Sequence, residues 1–393
     1  MGAKGSPVIW AKDGGWHNII DYGAASGGSA ATNTSAINAA ISAAQSTGGT
    51  VYIPAGSYDI NSALTTVTGK VMIAGDGMLA SKITQTTISA NTFTFNTSNQ
   101  FNVRDLRIDY SGNSGSGTSA GIYAAGGSDY SRIANVAVWG GMYGIHIYRA
   151  TWFVIDGVHT QQALDYGIYV RSAGLGDAGD STICNSHIQA KGATGNSVCL
   201  GIGSSGGLRV INNKIQYGYR CVEIKAVNDV SAGLNSIVIA SNTMDNACTG
   251  GYSIYVSDNS SGVAVNTLSI VGNNEVTGGI HIDGTSIANM YGINITGNTM
   301  FPAGEGHTNT ASIQITHARW VSVVGNLMRK QDDDTPTYGI YADSTDSDVQ
   351  IAGNHTSTGF ATAQMVIGRC YGSHMFATQF KRKNGPTGTW TAI

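Results

Sequence analysis

The sequence predicts an all-β solenoid, a single chain of short strands wound into stacked coils. Three observations carry this. An apolar-x-apolar unit recurs as Ile122-Tyr-Ala, Ile145-His-Ile, Ile168-Tyr-Val, Val198-Cys-Leu, Val222-Glu-Ile, Ile254-Tyr-Val, Ile280-His-Ile, Ile313-Gln-Ile and Ile340-Tyr-Ala, at intervals of 23 to 33 residues. A second unit, apolar then two mostly small residues then Asn, follows the later copies and ends at Asn213, Asn242, Asn273, Asn298, Asn326 and Asn354. Gly supplies 54 of 393 residues, about twice its usual share. With only 5 Pro, that excess fits tight turns between short strands better than a disordered linker. A repeat of this length cannot bury its own apolar face and must stack on a neighbour. The period of two inside each copy makes the unit a strand.

In chain order, residues 1–20 form a leader. Met1 to Ser6 lacks the charged-then-apolar layout of a secretion signal and reads as an added leader or a truncation point, which leaves export open. Residues 21–90 hold an N-terminal cap and the first coils. Within them, Thr34 to Ser46 is the best helix, with Ile37 and Ile41 four apart, Thr34 or Ser35 to cap it and Gly48-Gly49 to end it. An open solenoid end exposes core and unpaired backbone, so this helix is expected to lie over the first coil. Residues 91–364 are the body, interrupted by loops at Gly174–Asp180 and Arg329–Pro336. Residues 365–393 lose the Asn motif and are expected to form a terminal cap or a subunit contact.

Charged residues are only 11% of the chain, so each is informative, and the net charge of −3 gives no reason to expect nucleic acid. No apolar run approaches the roughly 18 residues of a membrane-crossing helix. Five scattered cysteines, without metal-type spacing, read as buried thiols. No cofactor is expected. Asp332, Asp333 and Asp334 have the chemistry to chelate Ca²⁺, although such an acidic run is more often a solvated loop, and the coils offer no carboxylate cluster.

The stretch Ile20-Asp-Tyr-Gly-Ala24, then Thr34-Ser-Ala-Ile-Asn-Ala-Ala-Ile41, Gly48-Gly-Thr-Val-Tyr-Ile-Pro-Ala-Gly-Ser-Tyr58 and Val71-Met-Ile-Ala-Gly-Asp-Gly77 resembles the N-terminal region of the pectate-lyase-like superfamily. The coils extend that resemblance over most of the chain. It departs in one place: family members often carry acidic residues before the helix, where this chain has Ser26-Gly-Gly-Ser-Ala-Ala-Thr-Asn. The resemblance implies a right-handed parallel β-helix acting on polysaccharide. Its branches include lyases, glycoside hydrolases, epimerases and phage tailspike depolymerases. The low charge, the wealth of Gly, Asn, Ser and Thr, and the polar tail most resemble a tailspike body. That implies a homotrimer, a bacterial surface polysaccharide as partner, and an extracellular place, either on a virion tail or as a secreted protein.

Residues between the core positions of each strand point outward and stack in columns. The first outward column is expected to read Tyr123, His146, Tyr169, Cys199, Glu223, Tyr255, His281, Gln314 and Tyr341. The second reads Tyr148, Arg171, Gly201, Lys225, Ser257, Asp283, Thr316 and Asp343. Rings that stack on pyranose faces, beside groups that bond hydroxyls, suit a sugar chain. Tyr123, His146, Tyr148, Tyr169, Arg171, Tyr255, Gln314 and Tyr341 are therefore candidate substrate contacts. Each taken singly is also what strand propensity alone would produce. The candidate catalytic group is Glu223, Asp283, His281 and Lys225. For hydrolysis, Glu223 serves as acid and Asp283 as base, with Lys225 in the Asp283 column to keep that carboxylate ionised. For β-elimination, His281, Tyr255 and Lys225 or Arg171 supply base, proton donor and cation. A binding module or adhesin without turnover is the third class, and it would need only the aromatics. The Asn series is expected to be a structural ladder, because an amide does not titrate.

Overall fold

The structure, a computed structural model, describes residues 15–96, 100–125, 130–171, 179–192, 197–203, 205–226, 233–245, 251–258, 264–274, 276–301, 311–329, 338–343, 347–356, 363–367, 381–383 and 390–392. Most of the leader, the acidic run Asp332–Asp334 and much of the tail lie outside the described residues.

The chain winds as a right-handed parallel β-helix. One face is an 11-stranded parallel sheet running from Phe93–Asn96 to Ala363–Ile367, here called the front sheet. A 19-stranded sheet wraps the other faces. Its two halves are joined by the long bent strands Phe101–Tyr110 and Arg132–Trp139, which pair with both preceding faces. The bends fall at Asp105 and Asn135, whose φ values of 58° and 53° turn the strand through the left-handed region.

The core is a set of in-register columns. Ile122, Ile145, Ile168, Leu200, Val222, Ile254, Ile280, Ile313 and Ile340 pair in succession along the front sheet, each at most 2% exposed. One expectation needs correcting here. Leu200, not Val198, continues the column begun by Ile168, and Val198 pairs with Tyr166 and Arg220 instead. Val198-Cys-Leu and Leu200-Gly-Ile both read apolar-x-apolar. A two-residue slip preserves which side chains face inward, so the pattern cannot choose between them.

The capping helix spans Ala30–Thr47, starting four residues before the expected Thr34. Ser29 caps it by accepting from the Thr32 amide, while Thr34 sits inside and bonds the Ala30 carbonyl. Ile37, Ala40, Ile41 and Ala44 are buried in one core with Val51, Ile53 and Ile60 of the first coils.

The Asn series forms the expected ladder. Each of Asn213, Asn242, Asn273, Asn298 and Asn326 donates both its backbone amide and its Nδ2 to the Oδ1 of the next Asn, at 2.9–3.0 Å. Nδ2 also reaches a carbonyl of the preceding coil, as Asn273 does to Ile239. The residue before each Asn is left-handed, from Asn212 at φ 55° to Gly297 at φ 66°, which explains why small or Asn residues occupy it. The ladder starts one coil earlier at Ser186, whose amide bonds the Asn213 Oδ1.

Candidate functional site

The front sheet sets the columns of its outer face. The first column is Tyr123, His146, Tyr169, Gly201, Glu223, Tyr255, His281, Gln314 and Tyr341, all in direct register. Gly201 stands where Cys199 was expected. Cys199 is fully buried, with its Sγ 3.0 Å from the Gln216 carbonyl. The second column keeps Tyr148 and Arg171, then Lys225, Ser257, Asp283 and Thr316. Asp343 falls just past the end of its strand, Tyr338–Ala342.

The slip from Cys199 to Gly201 shapes the site. A Cβ at Gly201 would overlap the Tyr166 ring and lie 2.8 Å from Tyr169, and one at Gly203 would sit 2.7 Å from the Tyr169 hydroxyl. The glycines form a shallow rung onto which both rings fold. Tyr166 and Tyr169 stack at 4.4 Å and 17°, with Tyr143 parallel to them at 5.9 and 6.0 Å.

Tyr143 and Tyr166 belong to a third outward column that the sequence reading missed. It also contains Arg220, and Tyr252 and Tyr338 stand at the same offset, two residues before the core Ile of their strands. A signal was present in Tyr-Gly-Ile, which recurs at Tyr143, Tyr166 and Tyr338 on the front sheet and once more at Tyr291 on the other sheet.

This column supplies the partners of the central charges. Glu223 is 6% exposed; its Oε1 pairs with the Arg220 guanidinium, and its Oε2 accepts from the Tyr166 hydroxyl at 2.8 Å. Arg220 lies 3.6 Å over the Tyr255 ring. The Tyr255 hydroxyl donates to Asp283 Oδ2 at 2.6 Å, and Thr316 donates to Oδ1 at 3.2 Å. One continuous network therefore runs Tyr166–Glu223–Arg220–Tyr255–Asp283–Thr316 across six successive rungs, passing over the Gly201 rung. Burial first, then the charge and hydrogen bond of Glu223, push the Tyr166 hydroxyl far above its ordinary range. Burial and Asp283 do the same to Tyr255. Both phenols stay protonated and act as donors.

His281 packs at 4.6 Å against Tyr252 and at 5.4 Å against Tyr255. Both its ring nitrogens are buried without a hydrogen-bond partner among the described residues. Burial lowers its pKa to about 4, opposed by Asp283 and aided by Arg220, so the ring is neutral at pH 7. His146, wedged between Tyr123, Tyr143 and Tyr169, is lowered to about 4 by burial and the Arg171 charge. Asp165, which immediately precedes Tyr166, is raised by burial, held back by a Tyr143 hydrogen bond and raised further by Glu223.

The structure thus gathers Glu223, Tyr255, His281 and Asp283 around Arg220, with Tyr169 and Arg171 on the N-terminal side and Gln314 on the C-terminal side. Gln314 Oε1 accepts from Tyr252 at 3.3 Å. Lys225 is exposed and shares the Asp283 column two rungs away; the contacts on Asp283 come from Tyr255 and Thr316. Tyr123 and Tyr148 cluster with His146, whereas Tyr341 stacks on Tyr338 at the C-terminal end of the strip, away from the centre. Of the groups around Glu223, sequence reasoning named neither Arg220 nor Tyr166 nor Asp165.

Residues 16–102 match the family described as rhamnogalacturonase A/epimerase, pectate lyase-like. No curated protein matches the sequence. Solved structures match along nearly its whole length. The DFA-IIIase of Arthrobacter chlorophenolicus is 15% identical, with a TM-score of 0.66 over 94% of this chain and 100% of that one. The surface protein and adhesin PfbA of Streptococcus pneumoniae is 14% identical, with a TM-score of 0.63 over 91% and 99%. The A-module of a mannuronan C-5 epimerase of Azotobacter vinelandii is 18% identical, with a TM-score of 0.51 over 92% and 100%. At such identities the likeness establishes the fold, and one scaffold carries both enzymes and an adhesin. The N-terminal region, residues 16–102, is similar to the pectate-lyase-like family, and the coils that follow continue as a parallel β-helix.

Proposed function

We propose that the front face binds a polysaccharide lying along the helix axis and that the chain cleaves it by glycoside hydrolysis. The observation that carries this is the pair Glu223 and Asp283, two rungs apart and tied into one network by Arg220 and Tyr255. Two rungs separate their backbones by about 9.5 Å. Side chains leaning together enter the roughly 6.5–9.5 Å window in which a water fits between two carboxyls, the inverting geometry. The contacts favour a division of roles opposite to that expected from the sequence. Glu223, buried against Arg220 and Tyr166, is assigned as the base. Asp283, half-exposed, is the carboxyl that meets the leaving oxygen.

β-Elimination is a second reading, favoured by the neutral His281 beside Tyr255 and Arg220. The finer reading is a tailspike-type depolymerase of bacterial capsular or exopolysaccharide, acting outside the cell. A homotrimer accompanies it, supported by a stripe of half-buried small side chains facing outward on the other sheet: Ile211, Ala240, Val271, Thr296, Val324 and Ala352 in one register column. Light scattering that finds a concentration-independent monomer removes the trimer.

The test uses purified capsular and exopolysaccharides, scoring new reducing ends and the ultraviolet absorbance of an unsaturated uronate. Glu223→Gln and Asp283→Asn are each expected to lower turnover by about 10²–10⁴-fold while binding persists. Near-full activity in both variants excludes the pair. An unsaturated product moves the chemistry to His281, and binding without any new ends leaves an adhesin.

A further inference from the structure

A second feature lies outside the front face. Each coil turns through a left-handed residue shortly after its front strand, two positions before the next strand's Arg132, Val154, Thr182, Arg209, Val238, Ser269, Asn294, Ser322 or Gln350. The residues at that turn are Tyr130, Trp152, Asp180, Gly207, Ser236, Thr267, Gly292, Trp320 and Asp348, with φ between 49° and 69°. Gly and small polar residues suit this backbone; bulky aromatics are rare in it. The fold does not require them, since six of the nine turns do without. Yet Tyr130, Trp152 and Trp320 occupy it and are 68%, 44% and 55% exposed.

The rings sit in two clusters equipped with planar polar groups. Tyr130 and Trp152 are 5.3 Å apart; Trp152 Nε1 points to Asp180 Oδ2 at 3.4 Å, and Arg132 pairs with Asp156 at 2.6 Å on the adjoining strands. Trp320 meets Tyr291 edge-on at 5.8 Å, and the Arg319 guanidinium lies 4.6 Å over Trp320. Six rungs, about 29 Å, separate Trp152 from Trp320. Among the described residues, the turn positions between them are Asp180, Gly207, Ser236, Thr267 and Gly292, none of them apolar and bulky.

The geometry points to a second glycan-binding strip along this turn column, in which Tyr130 with Trp152 and Trp320 with Tyr291 grip one extended polysaccharide at two points. A globular protein partner would favour one contiguous apolar patch. Two small aromatic platforms joined by a row of small and polar turn residues fit a long, thin, hydroxyl-rich chain, whose sugar faces stack on rings and whose hydroxyls bond the flanking carboxylates and guanidinium groups. The strip shares its ligand class with the front-face reading but contains none of the residues proposed for turnover, so it holds the polymer rather than cleaving it.

The experiment is native electrophoresis through gels cast with alginate, polygalacturonate, dextran or xanthan. The wild-type chain is compared with the double variant Trp152→Gly, Trp320→Gly and with Asp283→Asn. Glycine is the residue best suited to a left-handed turn, so the double variant should fold with an unchanged or higher Tm. It is expected to lose at least about five-fold in retardation affinity in the gel that slows the wild type, about 1 kcal/mol of binding. Asp283→Asn should be retarded like the wild type. Equal retardation of the double variant and the wild type overturns the strip, as does a wild type unretarded in all four gels. A Tm drop above about 5 °C in the double variant also overturns it, because the rings are then structural. Turnover is scored separately by new reducing ends, so a failure of the hydrolysis reading leaves the gel result standing.

Discussion

The Asn ladder and the front face are built by the same coils yet obey opposite rules. Along the ladder, one residue type repeats from Asn213 to Asn354 and each copy bonds the next in the same way. Along the front face, successive rungs present Tyr169, Gly201, Glu223, Tyr255, His281 and Gln314, no two neighbours alike. Repetition marks what stacking needs, and variation marks where stacking leaves a choice. A backbone that holds its pitch elsewhere frees the front columns to carry chemistry.

The comparison can be broken by exchanging the fates of the two regions. Asn273→Ala removes the acceptor of the Asn242 amide and Nδ2 and the donor to the Ile239 carbonyl. Buried groups left unpaired cost about 1–3 kcal/mol each, so urea titration should show a loss of about 3 kcal/mol with turnover intact in the folded fraction. Gly201→Ala should behave differently. The added methyl collides with the Tyr166 ring, which must lift and release Glu223. Overpacking of this kind costs about 1–3 kcal/mol. Turnover should fall with it by roughly ten-fold, the value of about 1.4 kcal/mol in a barrier. A Gly201→Ala protein with full activity would separate the glycine rung from the site.

A smaller effect sharpens the contrast through pH. His146 and His281 are held near 4 in the folded chain by burial, against about 6.5 in an unfolded one. Between these values the unfolded state binds protons that the folded state refuses, so unfolding becomes easier as pH falls. The stability is complete above pH about 6.5, declines down to about 4, and levels off below that, where the folded rings also protonate. The charged groups facing these rings, Arg171 for His146 and Arg220 and Asp283 for His281, stay within the site. Denaturation midpoints at pH 7, 5.5 and 4 check this, and His146→Phe should flatten the slope. The ladder contains no titrating group and should contribute nothing to it.

Much of this was readable from one sequence because a solenoid converts period into position. The core Ile column, the ladder and the places of Glu223, Tyr255, His281 and Asp283 follow from spacing alone. The errors have physical causes. Val198-Cys-Leu and Leu200-Gly-Ile have the same parity, and only packing shows that Cys199 is inside. The helix start moved to Ser29 because Asn33 and Thr34, polar in sequence, are buried by bonds to Ala25 and Ala30. Arg220 and Tyr166 escaped notice because their side chains reach along the strand or across rungs, and a column reading assigns each residue only its own rung.

Each Asn of the ladder bonds the coil that follows through its backbone amide and Nδ2, and the coil before through Nδ2 as well, so the coils are locked at one pitch and the front face becomes a ruler graduated at about 4.8 Å. Duplicating one coil together with its Asn would insert a single graduation without disturbing those on either side. Glycan length preference could then drift by whole subsites while the fold, and the chemistry around Arg220, stayed as they are.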